Sequence, residues 1–103
     1  MVFDVIVTRK ALADIDEHVL YITQNSVEEA SKWKDRLELL IQSFAEMPRR
    51  FSVIEESRRL KHPYRSAIHY SHRVIFRIEE STRTVIVVRV YHGSRRPLTQ
   101  KEV

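Results

Sequence analysis

A chain of 103 residues, 43% apolar and 31% charged with a net charge of +4, has the length and mix of one soluble globular domain spanning 1–103. It has no cysteine, which excludes disulfide frameworks, thiolate zinc sites and cysteine nucleophiles, and its single glycine, Gly93, excludes the glycine-rich loops that cradle nucleotide phosphates. No apolar run approaches the roughly 20 residues that span a bilayer, and Met1-Val2-Phe3-Asp4 opens into a strand-like pattern rather than a signal-peptide core. A cytoplasmic protein is expected, with no membrane partner, metal or organic cofactor.

Phe3-Asp4-Val5-Ile6-Val7 is rich in β-branched residues and reads as a first strand. Thr8 offers an N-cap for a helix with Leu12, Ile15, Val19 and Ile22 on one stripe, ending at Gln24-Asn25. Ser26 with Glu29 three residues on is a capping box for a second helix, which carries Ala30, Trp33, Leu37, Leu40, Ile41 and Phe44 on one face until Pro48 stops it. The two form an αα-hairpin, and Asp14, Asp16 and Glu17 read as its solvated face. From Arg49 to Pro63 no period holds, which predicts an irregular link.

After the link everything is strand-like. Tyr64–Tyr70, Arg73–Glu79 and Thr84–His92 are predicted as strands, separated by turns at Ser71-His72 and Glu80–Arg83. Two sequential hairpins make an antiparallel three-stranded meander packed on the helices, an α+β architecture.

The charge is uneven along this plan. Residues 1–57 carry a balance of −4 and residues 58–103 a balance of +8, so the meander is cationic on a mildly acidic support and wants a polyanion or an acidic protein segment. Strand parity decides where those charges point. With Val74, Phe76 and Ile78 packed on the helices, Arg73, Ile75 and Arg77 lie opposite; with Ile86, Val88 and Val90 packed there, Val85, Val87, Arg89 and Tyr91 lie opposite. Arg73, Arg77, Arg89 and Tyr91 are then expected on one open face. Guanidinium groups bind phosphate bidentately, and a tyrosine stacks on a base or donates its proton. The alternative is an arginine-rich surface that pairs with Glu79, Glu80 and water. Arg95 and Arg96 extend the cationic set beyond Gly93, as a polyanion grip or as a frayed terminus. The histidines lack metal-ligand spacing, and each reads as a surface or capping residue; Trp33 reads as core.

The order strand, helical hairpin, charged link and meander, with Arg73-Val74-Ile75-Phe76-Arg77-Ile78 and Val90-Tyr91-His92-Gly93-Ser94-Arg95, resembles the RelE/ParE toxin superfamily of type II toxin–antitoxin systems, and within it the ParE branch. That resemblance implies a growth-inhibiting toxin kept inactive by a cognate antitoxin, which brings operator DNA binding with it. The ParE branch is associated with inhibition of DNA gyrase, the RelE branch with ribosome-dependent cleavage of mRNA. Under the RelE alternative, Arg73 is similar to the strand arginine that contacts the scissile phosphate and His92 to a C-terminal histidine of one ribonuclease subgroup, with Tyr91 or Arg95 as substitutes for missing groups. Gly93 stands where that subgroup has its catalytic tyrosine, and Arg58 where it has a glutamate. The strand lysines of RelE-like enzymes fall near Tyr64 and Ser66. These departures favour the ParE-like, non-enzymatic reading.

Overall fold

The computed structural model describes residues 2–103. Strand β1 (Asp4–Val7) leads into helices α1 (Arg9–Thr23) and α2 (Val27–Ser43), then strands β2 (Arg65–His69), β3 (His72–Glu79) and β4 (Thr84–His92), with 3-10 turns at Pro48–Arg50, Glu55–Arg59 and Gln100–Glu102. The sheet runs β1-β4-β3-β2. The predicted meander is its antiparallel part, and β1 lies parallel to β4 with Asp4 opposite Thr84 and Val7 opposite Val87. The fold is thus α+β, with a four-stranded mixed sheet.

Both helices start where their caps predict. Thr8 is extended and its Oγ1 accepts the Ala11 N–H at 3.2 Å, while Ser26 Oγ accepts the Glu29 N–H at 3.1 Å. Thr8 also donates to the Val88 carbonyl at 3.1 Å, so one side chain fixes the start of α1 to the sheet. Thr8→Ala is expected to cost about 1–2 kcal/mol, seen as a lower urea midpoint with an unchanged slope. On α1 the buried stripe begins at Ala11, fully enclosed, rather than at Leu12, which is 49% exposed. A small side chain there lets the helix sit close to the sheet, and the larger neighbour turns outward. Helix α2 ends at Ser43, before Pro48, which opens a 3-10 turn after Met47.

The sheet buries apolar groups on both faces. Toward the helices, Ala11, Ile15, Trp33, Leu37, Ile41 and Phe44 pack on Val74, Phe76, Val85, Val87 and Val90. On the far face, Ile75, Val88 and Tyr91 form a second cluster with Ile54, Tyr64 and Leu98. The link is therefore not merely a connection: with the segment after Gly93 it roofs the second face.

The expected β4 parity is corrected here. Phe76 pairs with Val87 but Ile75 with Arg89, so Val88 is an extra residue, a β-bulge. The bulge puts Val85 and Val87 in the helix-side core and Ile86 and Val88 in the second cluster, the reverse of the alternation expected from sequence. Val90 faces the helices and Tyr91 lies in the second cluster, whereas the Arg89 side chain reaches both Asp14 of α1 and the Glu102 carbonyl.

Candidate functional site

The far face holds the predicted arginines, but it is not open. Arg73 donates to both carboxylate oxygens of Glu56, at 3.2 and 2.7 Å, and the Leu98 N–H donates to the same carboxylate at 3.2 Å. Glu56 is buried, and the Arg73 guanidinium holds its carboxyl far below the usual range, at about 2. Arg89 grips Asp14 of α1 in the same bidentate way, Nε and Nη2 each at 2.7 Å, and Asp14 also accepts the Val90 N–H at 2.9 Å. The hydrogen bonds from Arg89 identify Asp14 as a structural counter-ion, correcting its assignment to the solvated helix face.

Tyr91 is fully buried and donates to Glu102 Oε2 at 2.9 Å; burial, then this carboxylate, push the phenol pKa up. Glu102 belongs to the turn Gln100–Glu102, where Thr99 completes a capping box, and its backbone carbonyl accepts from Arg89 Nη1 at 3.0 Å. Arg95 lies over the Tyr91 ring, 4.4 Å from its centroid, Arg96 stays largely exposed 3.5 Å from Glu102, and Arg77 pairs with Glu79 at 2.8 Å. The tail beyond Gly93 is thus folded back onto the sheet rather than frayed. Arg89, Tyr91 and Arg96 meet at Glu102, Arg95 covers the Tyr91 ring and borders one cavity with Arg73, whereas Arg77 keeps to its own pair with Glu79. Beside them, Arg59, Arg73 and Arg95 border an open cavity of about 330 Å³ that also contains Glu56.

Histidines gather where the sheet meets the hairpin. His18 of α1, His72 of β3 and His92 of β4 stand in series, ring centroids 4.3 and 5.0 Å apart, and Trp33 of α2 touches His18, His69 and His72. His69 and His72 are buried, which corrects their reading as surface residues. His69 Nε2 meets the Trp33 carbonyl at 3.0 Å, whereas His72 Nδ1 is buried without a partner. Burial, followed by repulsion from His18 and His92, brings the His72 pKa down to about 4. His92 Nδ1 accepts the Ser94 N–H at 3.1 Å, so it caps the turn after β4. Among the described residues no group of three or more histidine, aspartate and glutamate side chains could hold a metal ion, and no helix is long and apolar enough to cross a membrane.

The sequence named Glu79, which pairs with Arg77, but periodicity did not find Glu56, Asp14 or Glu102 as partners of the other predicted residues. Their only advance signal was their charge, since partners 17, 75 and 11 residues apart share no local pattern.

Residues 5–97 match the family model described as the ParE toxin of the type II toxin–antitoxin system parDE, and the chain belongs to that family. Among solved structures it is similar to a chain from the crystal structure of the toxin–antitoxin complex RelBE2 of Mycobacterium tuberculosis, with a TM-score of 0.59 and 18% identity over 89% of this chain and 99% of that one. A search of curated proteins finds no significant match.

Proposed function

We propose that this protein is a growth-inhibiting toxin that works by binding rather than by catalysis, with cytoplasmic DNA gyrase as its target and a cognate antitoxin as its neutraliser. The observation that carries this reading is the commitment of the candidate catalytic groups. Cleavage of a phosphodiester needs a base, a proton donor and a free cation at the phosphate. Here the Arg73 guanidinium is taken up by both Glu56 oxygens, Tyr91 is enclosed with its hydroxyl on Glu102, and His92 Nδ1 is occupied by Ser94. Operator DNA would be reached only through the antitoxin.

The cavity bordered by Arg59, Arg73 and Arg95 favours one second reading, a ribosome-dependent mRNA endonuclease that uses these guanidiniums on the scissile phosphate. One experiment separates the two. The protein is induced in growing cells while DNA supercoiling, DNA-damage signalling and transcript ends are followed, and the purified chain is added to gyrase in a supercoiling assay. Slowed supercoiling with intact transcripts is expected. Unchanged supercoiling with fragmented mRNA would transfer the function to the second reading, and co-expression of the product of the adjacent reading frame is expected to restore growth.

A further inference from the structure

A different cavity, of about 520 Å³, lies at the end of the sheet away from the histidines. It is formed by Phe3 just before β1, the turn after α2 and the turn between β3 and β4. Phe3, Met47 and Pro48 are its apolar walls; Arg49, Arg50, Arg83 and Glu80 are its charged groups.

Three independent features single it out. First, Arg83 Nε is buried with no hydrogen-bond partner, while its guanidinium rests on the Phe3 ring, Cζ 4.6 Å from the centroid. A buried donor left unmade is uncommon in a folded chain and marks a place where an acceptor is wanted. Second, two of the three non-glycine residues with left-handed backbones among the described residues, Met47 (φ 46°) and Arg83 (φ 50°), both border this cavity. Such conformations are costly without glycine and gather at binding sites. Third, Met47 is 73% exposed, an adaptable apolar side chain beside the charged groups.

The charge state of the other groups defines what is missing. Arg50 caps the end of α2 by donating to the Ser43 and Met47 carbonyls, and Arg49 pairs with Glu80 at the surface. Among the described residues, Arg83 is the one of these three arginines with neither a carbonyl nor a carboxylate partner. We propose that this cavity is a binding site for a carboxylate of a partner protein, an aspartate or glutamate flanked by apolar residues. The carboxylate pairs with the Arg83 guanidinium, and its apolar neighbours lie on Met47, the exposed apolar residue of the rim, above the enclosed Phe3 and Pro48. A nucleic-acid strand fits less well. Asp4, Glu46 and Glu79 adjoin the bordering residues in sequence, so a continuous phosphate backbone would meet repulsion that one inserted side chain avoids.

This inference holds whichever cellular machine the protein inhibits, and it is tested on the full chain labelled with ¹⁵N-arginine. The probes are acetyl-Leu-Glu-Leu-amide, its glutamine counterpart, and a single-stranded RNA decamer. The glutamate peptide is expected to move the Arg83 Nε–H resonance saturably, the glutamine peptide to bind roughly tenfold more weakly for want of a charge-assisted pair, and Arg77, already held by Glu79, to stay still. Glu80→Gln, which removes the competing carboxylate from the cavity, is expected to tighten binding, and Arg83→Gln to abolish the response at the Thr84 amide. An unmoved Arg83 resonance, an equal response to the glutamine peptide, or a response to RNA at lower concentration than to the peptide would each overturn the proposal.

Discussion

Asp14→Ala is expected to lower folding stability by about 3 kcal/mol, because it leaves the Arg89 guanidinium enclosed without its counter-ion. Both side chains are about 15% exposed, and the carboxylate also accepts the Val90 N–H, so one substitution strips three hydrogen bonds that join α1 to β4. The hydrogen bonds to Asp14, the largest cause, raise the Arg89 pKa, and in the variant that lacks them the guanidinium still cannot escape by losing its proton, because arginine stays charged even without a carboxylate partner. Urea denaturation at pH 7 measures the loss. The double replacement Asp14→Leu with Arg89→Met is expected to recover much of it, since an apolar pair needs no counter-ion. A double variant as unstable as Asp14→Ala would mean that shape, not the uncompensated charge, sets the penalty.

Acid is expected to weaken the fold in two successive windows. His72 is neutral in the folded chain with its pKa brought to about 4, while the unfolded imidazole titrates near 6.5. As pH falls from 6.5 toward 4 the unfolded state takes up a proton that the folded state refuses, and about 3 kcal/mol of stability is lost. Glu56 follows. Its folded pKa of about 2 lies below its ordinary value of 4.5, so the stability it contributes is present above pH 4.5 and disappears as pH falls toward 2, again about 3 kcal/mol. His72→Phe is expected to flatten the urea midpoint between pH 6.5 and 4.5 and leave the lower window intact. It replaces an imidazole, whose Nδ1 is buried without a partner, by an apolar ring in a cluster of aromatic neighbours. An unaltered upper window in that variant would assign the effect to His18 or His69, whose pKa values are also lowered chiefly by burial.

Periodicity and caps made the frame of the molecule legible in its sequence. Thr8 and Ser26 start the helices where they stand, the stripe from Ala30 to Phe44 faces the core, and Thr84–His92 is the last strand at both bounds. The failures have physical reasons. A bulge at Val88 leaves no trace in a run of valines and isoleucines, because every residue suits either face, and it inverts the alternation of the preceding four positions. The link 49–63 has no period because it uses isolated anchors, Ile54 and Leu60, to roof the second cluster. The cationic face was legible as to membership and not as to state. Parity singled out Arg73, Arg77, Arg89 and Tyr91, and Glu79 beside Arg77 was legible as a partner, but the contacts of the other three with Glu56, Asp14 and Glu102 are tertiary and no local rule contains them.

The parallel pairing of β1 with β4 bears on how the molecule is made. Strand β1 is at the edge of the sheet beside β4, so a strand made early waits for one made some 80 residues later. Until Thr84–His92 emerges, Phe3, Val5 and Val7 have no sheet to join and Asp14 has no arginine. Contacts that close a loop of some 80 residues form late and together, and an unfinished chain remains open to proteases. With this order of strands the four-stranded sheet is completed only once β4 has been made.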